Sequence, residues 1–197
     1  SWVVLNSLGS FTISPVKKLC LCALCVALCP ILPMALHPLG LGGIISPMHI
    51  PPLLCGLLVG WPYGLACGLA GPVLSHLTSG MPNPPFLFFM MFELGAYGLF
   101  SGLLFRRVHT GRLYADLYTA MIPAMILGRI VGGAAQAAFF LSTDKPWSLS
   151  LFVSGYFIQT APGAVIHLLL IPTLVAVLTR AGLAPRRYSP AGLEARG

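Results

Sequence analysis

The sequence predicts an all-α fold, a polytopic membrane bundle of six transmembrane helices forming a single domain over residues 1–197. Three observations predict it. Of 197 residues, 57% are hydrophobic and 8% are charged, against roughly 25% charged in an ordinary soluble domain. The apolar residues fall into runs long enough to cross a bilayer, at ~20 residues per crossing. The 22 glycines and 18 prolines sit inside and between those runs, as membrane helices tolerate. With a mean hydropathy of +0.89, this excludes a soluble globular protein. It also leaves no room for a separate soluble domain, so any ATP hydrolysis or large receptor head has to come from another chain.

The first span is expected at about 19–36, with Pro30 and Pro33 in its outer half, where they should kink it. Lys17 and Lys18 followed by this apolar run imitate a secretory signal peptide. However, no small-x-small cleavage site follows, the run continues to Leu36, and Leu28 before Cys29 spoils a lipoprotein box. Because the chain opens on Ser1, a few native residues are expected upstream. The second span, about 47–60, follows the proline-rich stretch Ile45–Pro52. Each residue before a proline is pushed out of the α region, which places Met48, His49 and Ile50 in a loop or at a helix start. Trp61-Pro62-Tyr63-Gly64 reads as a tight turn, and a third span follows at about 64–78. Thr78–Pro85 is a second proline-rich loop without Lys or Arg. The remaining spans are expected at about 85–106, 114–141 and 149–179; the last two exceed the hydrocarbon thickness, so tilt or extension into water is expected.

Charge sets the orientation. With six crossings both termini share a face, and that face collects Lys17, Lys18, Arg106, Arg107, Arg112, Arg180, Arg186, Arg187 and Arg196, whereas the opposite face holds only Lys145. The positive-inside rule then makes the termini cytoplasmic. The formal charge of +7 is a topology signal and not one for nucleic acid, because no basic helix or aromatic interleaving accompanies it. All six cysteines lie in apolar runs, which argues against a disulfide framework. Cys22, Cys25 and Cys29 share a helical face and could form a thiolate cluster, but no His or acid accompanies them. Packing is the better reading, and neither a metal nor a cofactor is expected.

Glu93 and Arg129 are the formal charges placed within spans. An ionised side chain near a helix centre costs ~2.5–3.5 kcal/mol on the insertion scale, so each requires a partner, a wet cavity or a neutral form. One reading is that they pair only with each other, tying spans four and five together. The other is that they line a polar pocket. Tyr97 lies one helical turn after Glu93, Gln136 lies seven residues after Arg129, and Gln159 and His167 are eight apart in the sixth span. Spans four to six would then enclose the pocket, and the two uncharged loops would roof it. The candidate binding residues are Met48, His49, Met81, Asn83, Glu93, Tyr97, Arg129, Gln136 and Gln159. A guanidinium, a carboxylate, amides and aromatic or Met walls suit a small molecule with polar and apolar parts. The continuous polar lining of a channel is missing. Small residues at i, i+4 spacing (Gly64 and Gly68, Gly98 and Gly102, Ala23 and Ala27) allow close helix approach.

Several segments resemble one family. Pro47-Met48-His49-Ile50-Pro51, Gly56 to Gly60 with Tyr63-Gly64, Thr78-Ser79-Gly80-Met81-Pro82, and Phe92-Glu93-Leu94-Gly95-Ala96-Tyr97-Gly98-Leu99 closing on Arg106 resemble the substrate-binding S component of energy-coupling factor (ECF) vitamin transporters. The resemblance covers about residues 17 to 180 and is most specific between Pro47 and Arg107; after that, Gly128-Arg129 is the best match. It implies a bacterial cell-membrane subunit that captures a vitamin or related micronutrient from outside, reorients in the lipid and releases it inward. A transmembrane T component and two ATPase subunits are its implied partners. It also implies that an Ala-x-x-x-Ala stripe on the first span, matched here by Ala23 and Ala27, docks the T component. The branch resembled includes carriers for pantothenate, folate, cobalamin and queuosine precursors, which the sequence does not separate. Arg129 would suit a substrate carboxylate, and Glu93 a base or amine donor, unless Glu93 is a shared determinant of the fold.

Two other classes compete. An intramembrane enzyme finds little support: Val153-Ser154-Gly155 lacks a nucleophile setting, no two histidines are at i, i+4, and Glu93, Asp116, Asp144 and Glu194 include no adjacent pair for Mg²⁺. A structural or assembly membrane protein without a ligand predicts that an interior charge pair is its only polar feature.

Overall fold

A computed structural model describes residues 14–40 and 45–184; Arg186, Arg187 and Arg196, counted above on the terminal face, lie outside the described residues. Helix α1 is Pro15–Leu36. Proline at its first position lacks an N–H that would go unused there, and Ser14 Oγ accepts from Lys17 N at 3.4 Å. A 3₁₀ turn, His37–Leu39, closes α1 on Gly40, and a second, Pro47–His49, leads into α2, Ile50–Leu58. Then come α3 (Trp61–Ser79), α4 (Phe86–Arg107), α5 (Leu113–Ser142), α6 (Leu149–Val153), a π-helical turn (Ser154–Ile158) and α7 (Ala161–Arg180). The described residues are all helix and connection.

Four stretches are long and apolar enough to cross a membrane: Pro15–Leu39, Phe86–Arg107, Leu113–Ser142 and Leu149–Arg180. They correspond to the first, fourth, fifth and sixth expected spans. The second and third differ from expectation. The three-residue turn Pro47–His49 and the nine-residue α2 rise together about 18 Å, short of the ~30 Å hydrocarbon layer, and every residue of α2 is buried. It is a core helix flanked by protein. Helix α3 has 19 residues, about 28 Å, but Gly64, Gly68, Gly71, Ser75, His76 and Thr78 dilute its apolarity. The turn expected at Trp61–Gly64 is instead the first turn of α3, since Pro62 favours a helix start. The break lies one residue earlier, at Gly60, whose φ of +122° is open to glycine and strained for other residues.

Helix α4 packs against α2, α3 and α5. Its contact with α3 is backbone on backbone: a Cβ added at Gly64 would lie 2.5 Å from the Gly98 carbonyl oxygen and 2.7 Å from Gly56 Cα. On the same side Ser101 Oγ donates to Leu53 O at 3.4 Å and to Gly98 O at 3.3 Å. Five of the six cysteines are buried; Cys22, Cys25 and Cys29 turn from α1 toward Cys55 of α2 and Cys67 of α3 within one apolar core.

The two ends of the bundle differ in charge. One gathers the start of α1, the α2–α3 break, the end of α4, the start of α5 and the end of α7, with Lys17, Lys18, Arg106, Arg107, Arg112 and Arg180. There Asp116, fully buried, accepts from Thr110 N at 2.7 Å and Thr110 Oγ1 at 2.6 Å, which ties the α4–α5 connection. The other end gathers the two proline-rich connections and the start of α6, with Lys145.

Candidate substrate cavity

The site forms where α4 faces α5. Glu93 and Tyr97 are one turn apart on α4, Gly128 and Gly132 one turn apart on α5, and the helices run antiparallel. A Cβ at Gly132 would lie 2.8 Å from Glu93 Cβ, and one at Gly128 would strike the Tyr97 ring. The two glycines therefore leave the room that the two long polar side chains fill. Glu93 is 8% exposed, Arg129 8% and Tyr97 0%.

This packing decides how the interior charges are used. Arg129, adjacent to Gly128, donates from Nε to Tyr97 Oη at 3.0 Å, and its guanidinium carbon lies 5.7 Å from the Phe157 ring centroid, within cation–π range. Glu93 takes a different partner, His49: Nε2 and Oε1 are 3.2 Å apart. The direct interhelical Glu93–Arg129 tie is thus replaced by a chain in which Tyr97 links the two through its side chain and Glu93 also pairs with His49. Spacing along α4 and α5 brings Glu93 and Arg129 to one interface, but the loop histidine reaches the carboxylate.

His49 ends the 3₁₀ turn before α2. Its Nδ1 is 3.1 Å from Ser46 O and its Nε2 faces Glu93, so both ring nitrogens meet oxygens. An imidazolium can donate to both. A neutral ring with its proton on Nδ1 satisfies the same geometry if Glu93 carries the other proton. In either case the pair is neutral as a unit, which limits the penalty of burying it. The His49 ring lies 5.2 Å from that of Tyr97 and 6.0 Å from that of His167. His167 Nε2 donates to Ile45 O at 2.9 Å, while its buried Nδ1 meets no partner in the protein.

Two cavities open beside this cluster, and His49 lines both. The smaller, ≈ 300 Å³, lies between α4, α5 and the α6–α7 segment and is walled by Glu93, Gln136, Trp147, Tyr156 and Thr160 with Phe86, Phe140, Pro146, Leu151, Phe152 and Gly155. The larger, ≈ 720 Å³, lies under the proline-rich connections, among Met34, Met48, Met81, Met90 and His37 with Pro33, Pro38, Pro47 and Pro82. Ser75 Oγ donates to Met81 O at 2.8 Å and His76 Nδ1 to Pro82 O at 3.0 Å, which fixes the second connection over α3.

The residues singled out from sequence therefore separate. Glu93, Gln136 and His49 meet at the small cavity; Met48, Met81 and His49 meet at the large one. Tyr97 and Arg129 stand behind Glu93 and line neither. Asn83 and Gln159 are exposed and also line neither. Gln159 sits at the break between the π-helical turn and α7 and is exposed, whereas His167, within α7, is buried. Ala23 is exposed on α1 and Ala27 partly so. Sequence reasoning passed over Trp147, Tyr156, Thr160, Phe140 and Phe152. Trp147, shortly after Asp144 and Lys145 in the α5–α6 connection, was the one readable signal; its Nε1 is buried without a partner. Among the described residues, no group of three or more His, Cys, Asp or Glu side chains is placed to hold a metal ion.

Family comparison matches residues 17–184 to the ECF transporter, substrate-specific component. The chain belongs to that family. No curated protein and no solved structure matches it. This ECF substrate-specific component is accordingly a multi-pass membrane subunit of a transporter, and the small cavity between α4, α5 and α6–α7 is its candidate substrate site.

Proposed function

We propose that this subunit captures a vitamin or related micronutrient at the end of the bundle poor in basic residues and delivers it inward as part of an ECF-type ABC importer. On this reading α2 and α3 complete a six-helix domain. The positive-inside rule sets the termini, with Arg106, Arg107 and Arg112, in the cytoplasm, so both cavities face outward. A T component docks on the α1 stripe carrying Ala23 and Ala27, and two ATPase subunits drive reorientation. The subunit itself performs no covalent chemistry. The observation that carries the reading is the half-open, largely apolar cavity with Glu93 on its wall: a 22-residue apolar helix holds a carboxylate beside a void of ≈ 300 Å³, large enough for a small organic molecule. A structural protein without a ligand has no use for that void or for a wall residue, Trp147, whose indole N–H is left unpaired.

The test has two parts. Purified protein is scanned for thermal stabilisation against pantothenate, folate, cobalamin and queuosine precursors; a ligand at 100 times its Kd adds ~2.7 kcal/mol. Uptake of the responding compound is then measured in cells that co-express the T component and ATPases. Ala23→Trp is expected to abolish uptake while leaving binding intact. Undiminished uptake by that variant removes the docking role, and a panel without any saturable response removes the carrier reading.

A further inference from the structure

We propose that the ≈ 300 Å³ cavity selects a ligand with a planar nitrogen-bearing head that donates N–H to Glu93 in exchange for His49 and accepts a hydrogen bond from Trp147, and that it rejects a carboxylate head. The inference rests on the carrier reading and narrows its substrate class. Pantothenate-like recognition through Arg129 is the chemistry it excludes.

Four observations carry it. The charged and titratable groups on the wall are Glu93, His49 and Tyr156, with no Lys or Arg. Arg129 is engaged with Tyr97 and Phe157 behind that wall, so a carboxylate placed here would meet Glu93 with no Lys or Arg to offset it, and with the one imidazole on the wall already paired to Glu93. The second observation is Trp147, whose Nε1 is buried without a partner. Trp147 lines the cavity, and because an indole N–H only donates, a turn of the ring toward the void lets an acceptor on the occupant relieve the penalty of the buried unmade bond.

Third, the His49 imidazole on Glu93 is itself a planar nitrogen ring at 3.2 Å from Oε1, an internal stand-in for the head that the carboxylate accepts. His49 also lines the ≈ 720 Å³ cavity, which gives the displaced ring a place to go. Fourth, Phe152 and Tyr156 both line the cavity, with rings packed 5.2 Å apart, an aromatic wall suited to a flat ring. An azole or aminoazine head with an adjacent donor and acceptor meets all four conditions.

The test uses the purified full chain in nanodiscs and two flat probes of similar size, 2-aminobenzimidazole and 2-naphthoate, with binding read by calorimetry. Saturable binding of 2-aminobenzimidazole is expected. It should weaken roughly tenfold in Glu93→Gln and in Trp147→Phe, and tighten about fivefold in His49→Ala, which frees the carboxylate. Trp147→Phe, in the connection before α6, keeps the test valid if a Glu93 variant fails to fold. No binding of 2-naphthoate is expected. The proposal is overturned if 2-naphthoate binds and loses affinity in Arg129→Gln, if 2-aminobenzimidazole does not bind, or if its affinity is unchanged in both Glu93→Gln and Trp147→Phe. When any of these occurs while a nutrient from the panel above still binds saturably, the head assignment alone falls. When no nutrient binds either, the carrier reading falls with it.

Discussion

Helix α4 has two sides that solve different problems. Toward α2 and α3 it presents Gly98, Ser101 and Gly102, and the backbones approach so closely that an added methyl group has no space. Toward α5 it presents Glu93 and Tyr97, and there the glycines belong to the partner helix, so the room goes to long polar side chains. The same device, a glycine opposite a neighbour, yields a seamless contact in one half and the candidate site in the other. What differs is which helix supplies the side chain. The half built on α2 and α3 is a rigid support with no polar group larger than a hydroxyl at the contact. The half built on α5 to α7 carries the interior charges, the small cavity and the irregular π-helical turn.

This contrast is broken most severely by Gly64→Leu. Overpacking a core typically costs ~1–3 kcal/mol, and here the obstacle is backbone that cannot rotate away, so the effect is expected at or above that range. Size-exclusion and thermal melting should show aggregated or strongly destabilised protein; a variant that melts like the parent would mean the two helices are free to separate. Next in size is Glu93→Gln, which keeps shape and hydrogen-bonding capacity but removes the charge. Ligand affinity is expected to fall at least tenfold, the equivalent of ~1.4 kcal/mol, with little change in the melting of the empty protein. Near-unchanged affinity in folded protein would move the site away from this face of α4.

Arg129→Ala sharpens the comparison further, because Arg129 acts through Tyr97. Affinity is expected to fall about tenfold, as Tyr97 loses the guanidinium that holds its hydroxyl beside Glu93. Combined with Tyr97→Phe, the effects should be non-additive by roughly 0.5–3 kcal/mol, as expected for groups in contact. Additive losses would place Arg129 in direct contact with the ligand instead. The smallest effects belong to Asn83→Ala and Gln159→Ala, each expected to leave affinity within about twofold, since surface changes away from a site rarely exceed ~0.5 kcal/mol. A tenfold loss in either would show that the exposed connections fold over the ligand.

Some of this was legible from residue order. Glu93 and Arg129 announce themselves because charge in an apolar run demands an explanation, and their one-turn neighbours Tyr97 and Gly128 follow from helical period. Gln136 is placed on the cavity by the same reasoning. The differences have physical causes. Pro47–Leu58 reads as a membrane span because it is apolar apart from His49, and apolarity alone does not separate a lipid-facing helix from one enclosed by protein. Gln159 falls at a break in the helix and lines neither cavity, and periodicity, which assumes an unbroken helix, does not mark such a break. Trp147 and Tyr156 were overlooked because aromatic residues near a membrane surface have an ordinary interfacial use.

The amino-acid sequence by itself determined that this is a helical membrane protein, where its longest apolar helices lie, which end carries the basic residues and which two interior charges have to be accommodated; all follow from the energetics of single segments against lipid and water. Only the tertiary structure decided who accommodates them. Whether Glu93 meets Arg129 or His49 depends on how a proline-rich turn 44 residues away in the chain folds back over α4, and hence on packing between segments, which no local pattern encodes.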